Sequence, residues 1–332
     1  MIGIAVIGLG NALEPHAKSL LDLKDRARVV WAAARSEART HDAAARFGFP
    51  VTTDIARAIT DPAVGAVMVL APPNAHLALA EAAFAAGKHV LCEKPLETTV
   101  VRGEQLIAAG RRAGLRLGII LQMRFRPGSR RLKQILDAGE LGTIQAASMS
   151  VPWWRGQDYY DSPGRGVRER DGGGVLITQA IHTLDLFRWL VGVSRVDAAQ
   201  VATTALHRME TEDYAAALVR LGNSAPGTIM GTVAAYPGSA EWVQVIGLRG
   251  TAWLTGGNLR VAWLDGREEV LTDDGGSGSG ANLMGFSHEP HKAVLADFLD
   301  AIETGRDPAI PGEEALATQR VIDDILAAGS AR

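Results

Sequence analysis

An α/β fold is predicted for this chain of 332 residues. Residues 1–122 read as a parallel sheet, and residues 123–332 as an α+β domain with a large, mostly antiparallel open sheet. Two observations carry that expectation. Before residue 122, short runs apolar on both faces alternate with amphipathic helical stretches, as in a parallel sheet closed by helical crossovers. After it, strand-like runs succeed one another across short turns, which antiparallel neighbours allow and parallel ones do not. The length suffices for two separate cores.

The elements follow in order. Strands are expected at 2–7, 28–33, 66–70, 89–91 and 116–121, with helices between them at 14–23, 37–47, 75–86 and 99–113. A helix at 128–138 and a strand at 144–151 lead into a loop rich in Gly, Arg and Tyr that runs to residue 174. One helix is expected over 175–191. Strands then follow at 195–203, 214–220, 228–235, 242–247, 251–254 and 259–263. The stretch DDGGSGSGAN (273–282) reads as a flexible surface loop. Helices at 290–303 and 313–328 close the chain and can pack back on the first domain.

Composition narrows the function. The net charge of −3 gives no electrostatic reason to bind nucleic acid or an anionic membrane. The single cysteine, Cys92, excludes an internal disulfide framework and fits a reducing compartment. The opening strand-like run carries no charged n-region, and no apolar stretch reaches the length of a membrane span, so a cytoplasmic location is expected. His288 and His291 are spaced like metal ligands but lack an evident Cys or acidic cluster, and no metal is expected. No G-x-S-x-G elbow for acyl transfer is present.

The stretch GLGNALEPH (8–16) directly follows the first strand. In a dinucleotide loop the first glycine permits a tight turn, the second admits the pyrophosphate to the backbone, and the third allows close helix packing. Gly8 and Gly10 keep the first two. Leu13 stands at the third, where it changes how the helix rests on the sheet. N–H groups near Ala12 and Leu13 are expected to point at the anion. A strand–helix turn without ligand is the plainer alternative. The second strand ends in WAAARSEAR (31–39), where the acid that would bond a ribose 2′-hydroxyl is replaced by Ala34. Arg35, Ser36 and, one helical turn on, Arg39 suit a 2′-phosphate instead. NADP is therefore expected over NAD, with NAD still open. Solvated arginines at a helix start are the alternative.

Two further stretches carry chemistry: APPNAHLALAEAAFAAGKHVLCEKPL (71–96) and DGGGVLITQAIHTLDLFRWLVG (171–192). With the glycine loop and SHEPHKAVLADFLDAIETGRDP (287–308), they resemble the signatures of the Gfo/Idh/MocA oxidoreductases over nearly the whole chain. The resemblance implies a Rossmann domain, an open-sheet domain, and hydride transfer between NAD(P) and a sugar, keto-sugar, cyclitol or related polyol carbon. It places Lys94, at the carboxyl end of a parallel strand, against the reacting oxygen, and makes His182 the general acid/base. It extends the cofactor surface to Asn11, Pro72, Asn74, His76, Glu93, Lys94 and Gln122, and brings His288 towards the substrate.

One departure matters. The family usually has Asp or Asn four residues before the histidine; here it is Thr178, which cannot be a base at neutral pH. Thr178, His182 and Asp185 are expected on one helix face, with Gln179 orienting a substrate hydroxyl. The loop WWRGQDYYDSPGRGVRERDGGG (153–174) offers Arg155, Tyr159, Tyr160 and Arg165 either to a polyhydroxylated ring or to a subunit contact. A homodimer or homotetramer through the exposed sheet face is implied by the family. Relatives that bind NAD(P) only as regulators, or that use NAD to cleave glycosides, are the alternative functions.

Overall fold

The computed structural model describes residues 1–273, 276 and 286–330. The chain falls into two compact units, residues 1–121 with 288–316 and residues 122–287 with 317–332. The loop expected at 273–282 lies, apart from Asp273 and Gly276, outside the described residues.

The first unit contains, in chain order, β1 (Ile2–Ile7), α1 (Leu13–Asp22), β2 (Ala27–Ala33), α2 (Glu37–Phe47), β3 (Val51–Thr52), α3 (Ile55–Thr60), β4 (Ala66–Val69), α4 (His76–Ala85), β5 (His89–Glu93), α5 (Val100–Ala113) and β6 (Leu117–Ile120). The six strands lie parallel in the order β3-β2-β1-β4-β5-β6. Covered on both faces, β1, β4 and β6 are continuously apolar, apart from glycine, because no side of them meets water. Local chemistry marks the helix ends. Ser36, Asp54 and Thr99 accept from the N–H groups of Arg39, Arg57 and Arg102 to cap α2, α3 and α5. Neither β3 nor α3 is expected from the sequence, since elements of two and six residues carry too little periodicity to read.

The second unit holds α6 (Pro127–Asp137), β7 (Ile144–Pro152), the single turns α7 (Gln157–Tyr160) and α8 (Arg168–Asp171), and α9 (Ile181–Val191). Seven strands follow: β8 (Arg195–Ala202), β9 (Tyr214–Arg220), β10 (Pro226–Thr232), β11 (Trp242–Gly247), β12 (Gly250–Thr255), β13 (Asn258–Trp263) and β14 (Glu268–Leu271). With β7 they form a sheet in the order β14-β13-β12-β11-β7-β10-β9-β8. β7 and β10 run parallel, and the other neighbours antiparallel. Side chains alternate across it: Ala147, Met149, Val243, Val245 and Leu254 are buried, whereas Leu218, Ile246 and Val270 are 56%, 38% and 63% exposed.

The expected single helix over 175–191 differs in its first turn. Residues Leu176–Ala180 form a π-type turn, and the regular helix begins only at Ile181. The 3.6-residue face that would align Thr178 with His182 and Asp185 is therefore interrupted. The closing helices are α10 (Glu289–Thr304), in the first unit, and α11 (Gly312–Ser330), which starts in the first and continues in the second. α10 rests on α1, β5 and β6. A side chain at Gly118 of β6 would stand 3.0 Å from the Phe298 ring of α10, so the helix lies close to the sheet.

Candidate active site

At the carboxyl end of β1 the chain turns through Gly8, whose φ of +105° and lack of Cβ are both needed. A Cβ there would stand 2.6 Å from the Leu70 carbonyl carbon. Gly10 is more open; its nearest neighbour, 3.9 Å from a built Cβ, is the Arg39 guanidinium. A cation above a glycine turn at the start of α1 is a donor set that fits a nucleotide's phosphates. Asn11 and Arg35 are exposed, Ala34 is buried, and the Ser36 hydroxyl oxygen accepts from the Arg39 N–H while keeping its own proton to donate. Leu13 corrects one expectation. Its side chain is 3% exposed, and its N–H donates to the Gly10 carbonyl rather than standing free for an anion.

Lys94 follows β5 immediately, and the Lys94–Pro95 peptide is cis. Its backbone N–H donates to Glu93 Oε2 at 2.9 Å, while Glu93 Oε1 accepts from His16 Nε2 of α1 at 2.8 Å. His16 in turn meets His291 of α10 edge to face, with ring centroids 5.1 Å apart. Burial alone would raise the Glu93 pKa, but the His16 hydrogen bond and the neighbouring His16, Lys94 and His291 hold it down at about 2. Glu93 is thus not available to a cofactor. Its carboxylate ties the lysine's backbone to the helix that starts at the glycine loop.

A pH prediction follows, because the folded pKa of Glu93 lies below the ordinary value of 4.5. The stability it contributes is present above pH 4.5 and is lost as pH falls towards 2. The melting temperature of the wild type should therefore fall more steeply over that interval than that of Glu93→Gln. Parallel melting curves for the two would show that the carboxylate is not held in this way.

His76 is corrected as well. It is fully buried; Nε2 lies 2.9 Å from the Ala71 carbonyl and Nδ1 lies 3.0 Å from that of Pro95. Burial lowers its pKa more than those carbonyls raise it. The ring clamps the turn after β4 to the Glu-Lys-Pro segment and has no free edge for a nicotinamide. Pro72 and Asn74 remain exposed on that turn. Gln122, just after β6, keeps Oε1 buried with no hydrogen-bond partner among the described residues, an acceptor the chain itself does not use.

In the second unit, His182 is the second residue of α9 and is half-buried. Four candidate residues that precede it in the chain form one network. Thr178 Oγ1 lies 2.5 Å from the Gly174 carbonyl and beside Gln179 Oε1, its one proton going to either acceptor; Gln179 Nε2 donates to Tyr159 Oη at 3.3 Å. Arg165 donates to the same phenol oxygen and stacks 4.1 Å from the Tyr159 ring centroid.

Three other candidates turn inward. Tyr160 packs its ring in a core with Val175 and Val233 and against His207, so it is no substrate ligand. Arg155 is 6% exposed, lies over Trp153, and donates to the Trp154 carbonyl at 2.6 Å. Asp185 is fully buried and accepts from Arg124 Nε and Nη2, each at 2.6 Å, and from Thr318 Oγ1 at 2.8 Å. With both oxygens engaged it cannot reach a substrate.

The segment at 210–213, which carries no motif in the sequence, also shapes the turn before His182. Glu212 is buried, and its carboxylate accepts from the N–H groups of Gly174 at 2.9 Å and Leu176 at 3.2 Å. It caps the turn that precedes His182. A Cβ at Gly174 would lie 1.9 Å from the Glu212 carbonyl oxygen, which explains the last glycine of the triple. Asp213 bonds His207 Nδ1 at 2.7 Å, and His207 Nε2 meets the Arg155 carbonyl at 2.8 Å. Nothing in the spacing of these acids separates them from a solvated pair before a strand. Gly174→Ala is expected to lower stability and displace the π turn, seen as a lower melting temperature and a loss of substrate turnover. An unchanged melting temperature would show that the close approach is not required.

His288 also departs from expectation: its Nε2 bonds Asp22 Oδ2 at 2.9 Å at the end of α1. Contrary to the expected lack of an acidic cluster, Asp22, His288 and Glu289 do converge. The Lys292 ammonium, 3.2 Å from Asp22 and 2.7 Å from Glu289, bridges the two carboxylates and offsets one of their two charges.

A glycine loop opening a parallel sheet, a lysine at the end of β5 and an open-sheet unit carrying a histidine helix define a two-domain nucleotide-dependent dehydrogenase. Residues 2–120 match the model of an oxidoreductase family with an NAD-binding Rossmann fold, and residues 129–253 that of the GFO/IDH/MocA C-terminal domain. The chain belongs to the Gfo/Idh/MocA family. It is 26% identical over 319 residues to the myo-inositol 2-dehydrogenase of Thermotoga maritima, covering 94% of this chain and 91% of that protein. Identity to the 1,5-anhydro-D-fructose reductase of Ensifer adhaerens is also 26%, covering 84% and 82%. The WlbA dehydrogenase of Bordetella pertussis, solved with NADH and UDP-GlcNAcA, matches with a TM-score of 0.86 and 27% identity over 99% of this chain and 97% of that one. The protein is an NAD(P)-dependent oxidoreductase acting on CH–OH groups. Among the described residues, no helix is long and apolar enough to cross a membrane.

Proposed function

We propose that this enzyme prefers NADP(H) and oxidises or reduces a polyol carbon, with Lys94 and His182 as its catalytic residues. The observation that carries this reading is Lys94 itself, at the end of β5 with its backbone N–H held by Glu93. A bound nicotinamide supplies or accepts the hydride. Lys94 Nζ hydrogen-bonds the reacting oxygen and stabilises its developing negative charge. The His182 imidazole takes the hydroxyl proton in oxidation and returns it in reduction. Thr178 holds its proton at neutral pH, so proton transfer rests on His182. Thr178, Gln179, Tyr159 and Arg165 orient the substrate.

Gly8, Gly10, Asn11 and Ala12 would hold the pyrophosphate, Arg35, Ser36 and Arg39 the 2′-phosphate, and Pro72, Asn74, Lys94 and Gln122 the nicotinamide half. The Arg39 guanidinium near Gly10 supports the phosphate assignment. The buried, lone Cys92 is consistent with a cytoplasmic enzyme. The exposed sheet face bearing Leu218, Ile246 and Val270 is the contact of a homo-oligomer in this reading.

Cofactor choice is tested by titrating the protein with NADPH and NADH. NADPH should bind more tightly, and Arg35→Ala should narrow the gap. Equal affinities in the parent protein would refute the 2′-phosphate site. A nicotinamide-absorbance screen of sugars, keto-sugars, inositols and sugar lactones with both cofactors then identifies the substrate.

A further inference from the structure

The polar network around Tyr159 is unbalanced in its donors and acceptors. Two groups, Arg165 Nη1 and Gln179 Nε2, both donate to the phenol oxygen, which leaves the phenol proton to be given elsewhere. Gln179 Oε1 faces the Thr178 hydroxyl, and of the amide's two N–H donors one goes to Tyr159 and the other remains. Arg165 gives one of its five guanidinium N–H groups to Tyr159 and meets no carboxylate among the described residues.

The acids nearest in sequence are committed elsewhere. Asp161 takes Gln157 at 2.9 Å, and Asp171 takes Arg170 and the Gly166 N–H. Asp158 folds back on Gly156, where it would stand 2.4 Å from a built Cβ. Arg165 is half-buried and is held in place by the Tyr159 ring. The hydroxyls of a neutral polyol can accept from these donors but leave the fixed positive charge of Arg165 without a counter-charge. An anionic oxygen pair would match both, since a guanidinium fork accepts a carboxylate or phosphate edge in bidentate fashion.

From this imbalance, and resting on the function proposed above, we infer that the substrate is an acidic polyol, carrying a carboxylate or a phosphate that Arg165 recognises with Tyr159 and Gln179. Arg165 is then the residue that decides specificity, while the reacting hydroxyl remains with Lys94 and His182.

The test is steady-state turnover, read at the nicotinamide band, on matched sets: a neutral sugar or cyclitol, its carboxylic acid and its phosphate ester. For the wild type, kcat/KM for one acidic member should exceed that for the neutral one by about 10- to 100-fold. Which acid is favoured separates carboxylate from phosphate. Arg165→Gln should bring that ratio close to one, with the loss lying in KM more than in kcat. Arg165→Lys, which keeps the charge but not the fork, should retain part of the ratio. Equal kcat/KM for neutral and acidic members, or a ratio that survives Arg165→Gln, would overturn the inference while leaving the dehydrogenase reading intact. Turnover of no member of any set would overturn both.

Discussion

Lys94→Ala is expected to lower hydride transfer by about 10³-fold or more while leaving NAD(P)H affinity nearly unchanged. The ammonium would act where negative charge develops on the substrate oxygen, so its loss weighs on the transition state and little on ground-state cofactor binding. The backbone anchor would survive the substitution, because Glu93 bonds the Lys94 N–H and not its side chain. Stopped-flow measurement of nicotinamide absorbance, beside a fluorescence titration of the cofactor, separates the two effects. Turnover near the wild-type rate would remove the lysine from the chemistry. Weakened cofactor binding with undiminished single-turnover rate would make it a nucleotide ligand.

Asp185→Ala is expected to destabilise the protein by about 3–5 kcal/mol, because it leaves the Arg124 guanidinium charged in a buried place. The side chains of Arg124 and Asp185 are 5% and 1% exposed, and the pair shares two hydrogen bonds of 2.6 Å. Denaturant unfolding measures the loss. Asp185→Asn should be milder, since the amide oxygen still accepts one of these bonds. Were Asp185→Ala instead to raise substrate KM with stability unchanged, Asp185 would return to the substrate site.

The parts of the fold that were legible in the sequence share a physical cause. Strands covered on both faces must be apolar throughout, so β1, β4 and β6 stand out from the helices between them. The crossovers of the first unit are long enough to show helical periodicity. β3 and β14 were not legible, the first for its two residues and the second because EEVL alternates only weakly. The π turn at Leu176–Ala180 was hidden too, since the sequence around Thr178 carries ordinary helical spacing.

The candidate site can be placed from the sequence where a residue type is matched to a chemistry. Gly8, Lys94, His182, Thr178, Gln179, Tyr159 and Arg165 all stand on or beside the turns that the motifs mark. What the sequence concealed is direction. His76, Arg155, Tyr160 and Asp185 belong to the same motifs, yet they face inward, and spacing alone does not tell a ligand from a clamp. Glu212 and His16 were obscured for the converse reason. Each works by bonding a backbone or side chain distant in sequence, Glu212 at Gly174 and Leu176 and His16 at Glu93, and such pairings form only on folding.

The most direct test of the account counts reduced nicotinamide against polyol consumed, with purified enzyme and its preferred substrate. One equivalent of NAD(P)H formed per hydroxyl oxidised, or one consumed per carbonyl reduced, is the predicted result. Substrate converted while the nicotinamide absorbance stays constant would contradict it, and would place the enzyme among catalysts that regenerate their cofactor within each turnover.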